Sequence, residues 1–119
     1  MIHNLNLKEV YFNLVKDKIK TFEVRLFDEK RKLINVGDTI IFTCGDDKNP
    51  TLETRVVSLL QFESFEKMAS YIPSRLIGFE NCTINQIIDT YHKFYTPEQE
   101  KFYGVLAIEV QVIEGEKNG

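Results

Sequence analysis

The chain lacks the local signatures that mark the common enzyme classes. It contains no GxSxG, P-loop, GxGxxG or HExxH motif, so no catalytic or nucleotide-binding site can be drawn from neighbouring residues alone. Its two cysteines, Cys44 and Cys82, have no CxxC or Cys/His spacing around them, which leaves a zinc site unsupported and favours reduced, mostly structural thiols. We expect no metal and no cofactor.

Long apolar runs are missing as well. No stretch approaches the length needed to cross a bilayer, and the N-terminus has neither a basic region nor a hydrophobic signal core. We therefore expect a cytoplasmic protein with no membrane partner. The 119 residues suit a single domain, which we place at residues 1–113, with a disordered C-terminal tail at 114–119. The oligomeric state is left open.

The net charge is small and unevenly spread. A net charge of −3 argues against indiscriminate coating of nucleic acid, which needs many phosphate contacts. Residues 1–40 nevertheless hold eight Lys/Arg against six Asp/Glu, a net of +2, which leaves −5 for the remainder. A local basic surface near Lys16, Lys18, Lys20 and Arg25 therefore persists, although solvated loop charge also explains such runs.

Hydrophobic periodicity predicts a mixture of helices and strands. Capping signals at Ser64, Thr83 and Thr96 add helix starts to the pattern. In chain order the predicted elements are strand 2–5, helix 8–18, strands 20–26, 39–44 and 52–62, a helix that begins after Ser64 and stops before Pro73, helices 84–95 and 97–103, and strand 105–113. Strands 39–44 and 52–62 are expected to form an antiparallel hairpin. Residues 27–36, 45–50 and 72–81 are predicted loops, and the last could lie over a cleft.

The segment at residues 18–25, KIKTFEVR, carries polar side chains at regular intervals. In a strand its apolar side chains lie on one face and Thr21, Glu23 and Arg25 on the other, with Lys20 at the start. Lys20, Glu23 and Arg25 can balance one another on a half-buried face, or jointly hold an anionic or amide-bearing ligand. An exposed sheet face with a surface ion pair is the alternative interpretation. Whether Glu23 pairs with Lys20 or with Arg25 stays open.

Histidines and aromatic residues admit structural as well as functional roles. His3 and His92 stand alone, and we expect structural or surface roles for them in preference to catalysis. Five aromatic residues of the C-terminal half could stack on bases, although packing in the core is the commoner role: Tyr91, Phe94, Tyr95, Phe102 and Tyr103.

KIKTFEVR resembles the signature of the ASCH domain family, G-x-K-x-x-E-x-R. Lys20, Glu23 and Arg25 occupy the charged positions, and Lys18 stands where the family usually has glycine. The VGD turn at 36–38 and the YGVLAIEV segment at 103–110 are also similar to small prokaryotic ASCH proteins. The resemblance implies an α+β fold, namely a PUA-like, mostly antiparallel β-barrel flanked by helices. It also implies a cleft in which the polar signature residues face a ligand.

The resemblance implies a ligand class too. The family is thought to bind RNA or nucleotides, or a modified nucleoside, so the expected ligand-binding residues are Lys20, Glu23 and Arg25. One branch hydrolyses the acetyl amide of N4-acetylcytidine, with a lysine at the Lys20 position, a threonine where this chain has Glu23, and a glutamate near the position of Glu80. As an alternative to a binding protein, the chain is then a metal-independent amidohydrolase with Lys20, Glu23 and Glu80 as catalytic residues. Glu23 would act as general base, Lys20 would stabilise the oxyanion and Glu80 would protonate the leaving amine.

Overall fold

The strands form one curled sheet that is covered by helices. The computed structural model describes residues 1–45 and 50–114. Short 3₁₀ turns lie at Arg31–Leu33 and Ser74–Ile77. The strands and α-helices of the described part are, in chain order, β1 (Ile2–Leu7), α1 (Glu9–Lys16), β2 (Phe22–Leu26), β3 (Thr39–Cys44), β4 (Thr51–Phe62), α2 (Phe65–Tyr71), α3 (Ile84–Tyr91), α4 (Pro97–Tyr103) and β5 (Val105–Val112).

The sheet places β1 and β2 at its two edges. Its strand order is β1-β3-β4-β5-β2, and every neighbouring pair is antiparallel except β1 with β3, which is parallel. The sheet curls into a half-barrel, and α1 connects the two edge strands. The predicted α+β fold, with a mostly antiparallel PUA-like sheet flanked by helices, is confirmed, as is the β3–β4 hairpin.

The core lies on both faces of β5. Leu106, Ile108 and Val110 pack with α1, β1 and β3, whereas Val105 and Ala107 pack against α2, α3 and β2. Alternate residues of a strand point to opposite faces, so a strand buried on both faces must be apolar at successive positions. This explains why the beginning of β5 reads as a continuous apolar run.

Helix starts follow the predicted capping signals. Thr83 and Thr96 both form capping boxes, in which the threonine hydroxyl accepts from the amide three residues later and a glutamine side chain accepts from the threonine amide. The end of α3 differs from the prediction, since the helix stops at Tyr91 and a turn continues to Tyr95, whose amide bonds to the Tyr91 carbonyl at 3.0 Å. That turn exposes Phe94 beside the helix.

Other predicted boundaries need correction. β2 begins at Phe22 and not at Lys20, because the amide of Lys20 bonds to the carbonyl of Leu14 in α1 at 3.0 Å instead of joining the sheet. Both predicted loops at 27–36 and 72–81 contain a 3₁₀ turn. The interpretation of β2 as an exposed face is wrong, since Glu23 is buried. Of the predicted turn at 45–50 and tail at 114–119, residues 46–49 and 115–119 lie outside the described residues.

Each histidine pairs with a carboxylate. His3 Nε2 lies 2.8 Å from Asp38 Oδ2, which links β1 to the turn before β3. This hydrogen bond, together with the backbone amide of Asn35, lowers the pKa of Asp38 to about 2. His92 Nε2 lies 2.7 Å from Glu100 Oε1, and Glu100 Oε2 accepts from the backbone amide of Phe65 at 2.7 Å, which ties α2, α3 and α4 together.

Candidate ligand-binding site

The end of α1 delivers Lys20 to the interior. Lys18 has a φ of +65°, and the amides of Lys18 and Ile19 bond to the carbonyls of Val15 and Leu14 at 3.0 and 2.9 Å. This is the pattern of a Schellman cap, whose left-handed residue is usually glycine because a Cβ is unfavourable there. The ASCH signature therefore has glycine at this position because of the left-handed conformation. In this chain a lysine adopts that conformation, which is less favourable for a residue with a Cβ.

Gly78 lets the chain pack closely against Lys20 from the other side. Its φ is +95°, and a Cβ added there would lie 3.1 Å from both the Lys20 Cδ and the Tyr11 Cδ1 atoms. Distances this short would force those side chains to move. The segment after the 3₁₀ turn at Ser74–Ile77 thus covers the lysine stem only because residue 78 has no side chain.

Lys20, Glu23 and Arg25 form one buried ionic network. Lys20 Nζ lies 3.1 Å from Glu23 Oε1, and Arg25 Nε lies 2.5 Å from Glu23 Oε2. The side chains of the three residues are 3%, 8% and 16% exposed, respectively. Glu23 therefore pairs with both cations, since one carboxylate oxygen contacts Lys20 and the other contacts Arg25.

Lys20 uses all of its donors within the protein. Its ammonium lies within hydrogen-bond distance of Glu23 Oε1 at 3.1 Å, the Phe22 carbonyl at 2.5 Å and the Ile77 carbonyl at 3.3 Å. An ammonium group has three N–H donors. Lys20 in this arrangement therefore joins β2 to the 3₁₀ turn at Ser74–Ile77 and has no donor left for a ligand.

The network sets the charge of its members. Burial lowers the pKa of the Lys20 ammonium, and the Glu23 carboxylate opposes this effect only in part. Burial alone would raise the pKa of Glu23, but the charges and hydrogen bonds of Lys20 and Arg25 outweigh it and lower that pKa. Burial likewise opposes the charge of Arg25, and Glu23 more than compensates, so the pKa of Arg25 is raised. Glu23 and Arg25 are therefore ionised at neutral pH.

Arg25 bridges the two edges of the sheet. Its Nη2 donates to the backbone carbonyl of Asn6 in β1 at 2.8 Å, while its Nε holds Glu23 in β2. Its Nη1 donates to no other residue in the described part of the chain. We call the space between β1 and β2 the edge gap, and the Arg25 side chain spans it.

A cavity of about 270 Å³ opens at the edge gap. Aromatic side chains supply much of its wall: Tyr11, Phe79, Tyr91, Phe94 and Tyr95. Its charged lining consists of Lys8, Lys20, Arg25 and Glu23, a net charge of +2 in a chain whose total is −3. Low-dielectric walls concentrate such a local field, so the cavity favours an anionic ligand despite the acidic total.

Three tyrosine hydroxyls of the cavity wall are unpartnered. The hydroxyls of Tyr11, Tyr91 and Tyr95 form no hydrogen bond with any residue in the described ranges 1–45 and 50–114. Burial raises the pKa of all three, and the negative charge of Glu23 adds to the effect. The three phenols are therefore protonated at neutral pH and can donate to a ligand.

Neighbouring rings fix Tyr91 in the wall. Its ring stacks on Phe65 with centroids 4.6 Å apart and an angle of 2° between the planes. Phe79 contacts Tyr91 on one side, at 5.7 Å, and Tyr11 on the other, at 6.2 Å. Because Phe65 is fully buried, Tyr91 is anchored to the core.

The structure brings together only some of the predicted site residues. Lys20, Glu23 and Arg25 all line the cavity, whereas Glu80 is exposed and is not part of its wall. Of the five aromatic residues considered for base stacking, Tyr91, Phe94 and Tyr95 line it, and Phe102 and Tyr103 do not. Tyr11 of α1 also lines the cavity but is not among the predicted site residues, and its hydroxyl is the local signal that could have identified it.

Comparison with known proteins shows the family of the chain. The profile of the ASCH domain matches residues 5–114. The chain belongs to the ASCH domain family. The structure of hypothetical protein PH0355 is 36% identical, with a TM-score of 0.83, and the match covers 95% of this chain and all of that one. The solution structure of protein PF0455 from Pyrococcus furiosus is 34% identical, with a TM-score of 0.73 and coverage of 97% and 100%.

A more distant structure shares the fold. The ASCH protein of Zymomonas mobilis is 11% identical, with a TM-score of 0.66, and the match covers 92% of this chain and 66% of that one. No curated protein matches the chain significantly.

The described residues contain neither a membrane-spanning helix nor a cluster of metal-binding side chains. No helix among residues 1–45 and 50–114 is long and apolar enough to cross a membrane. In the same ranges, no three His, Cys, Asp or Glu side chains come together in a way that would hold a metal ion.

Proposed function

We propose that this ASCH protein binds RNA or a nucleotide by enclosing one base in the edge-gap cavity. The observation that carries the proposal is the composition of the cavity wall: aromatic faces, three unpartnered phenols and a net charge of +2. Aromatic walls bind the faces of a base by stacking, which is worth about 1–3 kcal/mol per base. Cations beside them attract a phosphate.

The size of the cavity suits one base or nucleoside. Its volume of about 270 Å³ lies just below the usual range for small-molecule sites, which is about 300–1,000 Å³. Phenol hydroxyls of Tyr11, Tyr91 and Tyr95 would donate to ring nitrogens or carbonyl oxygens on the base edge. Such donors select for a ligand whose acceptors lie in matching positions, because a buried unpaired hydroxyl costs free energy.

Arg25 is the signature residue that would contact the ligand directly. Its Nη1 is available for a phosphate or carbonyl oxygen, whereas both oxygens of Glu23 and all donors of Lys20 are already used. In this proposal Lys20 and Glu23 orient the guanidinium across the edge gap. That assignment differs from the initial expectation that all three touch the ligand.

Calorimetric titration with the four nucleoside 5′-monophosphates tests the proposal. Arg25→Gln removes a charge-assisted hydrogen bond and should weaken binding by about 10- to 150-fold, while Tyr91→Phe removes a neutral one and should weaken it by about 2- to 10-fold. Arg55→Gln is the matched control, because Arg55 is exposed and lies outside the cavity wall. Unchanged affinity in both cavity variants, with circular dichroism showing that they are folded, would remove the cavity from the binding site.

Amidohydrolysis of N4-acetylcytidine is the second candidate function, and the lowered pKa of Lys20 supports it. A catalytic lysine needs a lowered pKa, and burial provides it here. In this candidate the ammonium of Lys20 first loses its proton to solvent, and the neutral amine, held by Glu23, takes a proton from the water that attacks the acetyl carbon. Glu80 is exposed and lies outside the cavity wall, so a phenol of the cavity would give a proton to the leaving nitrogen as the amide C–N bond breaks. Lys20 would then return the proton from water to that phenol.

A turnover assay decides between the two candidates. Wild type and Lys20→Met, which keeps the volume of the buried side chain, are incubated with N4-acetylcytidine, and cytidine is separated from substrate by chromatography. Release of cytidine by the wild type alone supports the amidohydrolase. No release by folded wild type refutes it and leaves the binding function.

A further inference from the structure

Phe94 stands at the entrance of the cavity and is partly in water. It lines the cavity, yet 56% of its surface is exposed. It lies in the turn after α3, where its amide bonds to the Tyr91 carbonyl at 3.0 Å. The backbone of Phe94 is therefore held beside the cavity wall, and its ring presents an exposed apolar surface at the entrance.

Lys8 lies over the same ring. Its Nζ is 4.8 Å from the Phe94 centroid, and Lys8 also lines the cavity. The ammonium forms no ion pair or hydrogen bond with another residue within the described ranges, so it is free to contact an added anion. An aromatic face and an unpaired cation at one entrance match the two repeating groups of a nucleic acid strand, a base and a phosphate.

We propose that Phe94 and Lys8 form a second base site, next to the cavity, for the neighbouring nucleotide of a single-stranded RNA. The inference rests on the proposed function and makes its ligand more specific: the protein binds an RNA segment of at least two nucleotides in preference to a free nucleotide. One base enters the cavity, the adjacent base stacks on Phe94, and Lys8 contacts the phosphate. The cavity and the entrance share these side chains, so the two base sites are continuous.

Charge favours an anionic partner, and the exposed Phe94 ring favours an anion that carries bases over an acidic protein surface. The cavity and entrance carry a net charge of +2 within a chain of −3, which suits a short anionic segment and opposes a long one. A double helix cannot splay a base into the cavity without unpairing it, so a single strand is the matching form.

The test compares mononucleotides with trinucleotides of the same base. Calorimetry measures the four nucleoside 5′-monophosphates and the trinucleotides AAA, CCC, GGG and UUU against wild type, Phe94→Ala and Phe94→Trp. We expect at least one trinucleotide to bind about 5- to 150-fold more tightly than its mononucleotide, the range for one stacked base. Phe94→Ala should weaken trinucleotide binding more than mononucleotide binding and so remove that advantage, and Phe94→Trp should restore it.

Two further variants separate stacking on Phe94 from the charge of Lys8 and from nonspecific binding to exposed aromatic rings. Phe102→Ala removes a ring that is 80% exposed and lies outside the cavity wall, and it should change neither affinity. Lys8→Gln should reduce the salt dependence of trinucleotide binding by about 0.7 in the logarithmic slope, the value for one phosphate contact with a single strand.

Each outcome bears on one proposal or on both. Equal binding of mononucleotide and trinucleotide by wild type, or an advantage that persists in Phe94→Ala, overturns the second base site and leaves the proposed function standing. Equal weakening of both ligands by Phe94→Ala also overturns it, since Phe94 would then belong to the first base site. Absence of binding to every ligand overturns both proposals.

Discussion

Replacing Glu23 with glutamine should destabilise the protein strongly. The substitution keeps the shape of the side chain but leaves Lys20 and Arg25 buried without their shared counter-charge. Removing one partner of a buried ion pair typically costs about 3–5 kcal/mol. For a domain of this length each kcal/mol lowers the melting temperature by about 4 °C, so we expect a decrease of about 12–20 °C.

An exposed ion pair in the same chain provides the control. Glu63 Oε1 lies 3.2 Å from Lys67 Nζ, and the two side chains are largely exposed. Exposed pairs contribute about 0–1 kcal/mol, so Glu63→Gln should change the melting temperature by no more than about 4 °C. Urea titration of both variants at neutral pH compares them directly. Equal midpoints for Glu23→Gln and Glu63→Gln would refute the argument that the buried network stabilises the fold.

The pH dependence offers an independent check on the same carboxylate. Because the folded state lowers the pKa of Glu23 below its ordinary value of 4.5, the stability it adds is present above that pH and is lost as the pH falls further. The difference in unfolding free energy between wild type and Glu23→Gln should therefore shrink below about pH 4.5. A difference that stays constant from pH 7 to pH 3 would mean that folding does not change the pKa of Glu23, which contradicts the lowered value.

Three further predictions follow from the backbone and from the second buried carboxylate. Gly78→Ala should destabilise the protein by about 1–3 kcal/mol more than Gly37→Ala in urea titration, because both glycines have a φ near +95° but only a Cβ at 78 meets other side chains; equal losses would show that backbone strain alone is responsible. Lys18→Gly should stabilise by about 1 kcal/mol by removing the left-handed strain, whereas Lys18→Ala should not, and equal midpoints would refute this. Hydrogen bonds from His3 and the Asn35 amide lower the pKa of Asp38 from 3.8 to about 2, so the stability Asp38 adds is present above pH 3.8 and decreases toward pH 2; Asp38→Asn should flatten that part of a pH-stability curve, and an unchanged curve contradicts it.

Local sequence signals predicted the elements well where the physics is local. The starts of α3 and α4 were predictable from Thr83 and Thr96, since a capping box is formed by residues three positions apart. The order of the strands was not, because β1 pairs with β3 across more than 30 residues, and no local pattern records such a pairing. The predicted start of β2 at Lys20 is wrong for a different reason, since the Lys20 amide bonds to the Leu14 carbonyl at the end of α1 and does not join the sheet.

In the site, too, the contacts between nearby residues were predictable and those between distant residues were not. The spacing of Lys20, Glu23 and Arg25 identified a network that the structure contains, although sequence alone left the pairing undecided. That Lys20 has no free donor could not be foreseen, since one of its acceptors is the carbonyl of Ile77, 57 residues away. Neighbouring positions in the sequence also do not show which side chain faces the cavity: Phe79 lines the cavity, while Glu80 next to it is exposed.

The edge gap is a place where the shape of the cavity can change without loss of hydrogen bonds in the sheet. β1 and β2 exchange no sheet ladder across it, and within the described residues they are linked at this point by the side chain of Arg25. Substitutions at aromatic wall residues outside the ionic network can therefore reshape the cavity while every backbone hydrogen bond of the sheet survives. If the proposed binding function holds, a library of variants at Phe94 and Tyr95 is the direct way to change ligand preference without disturbing the network.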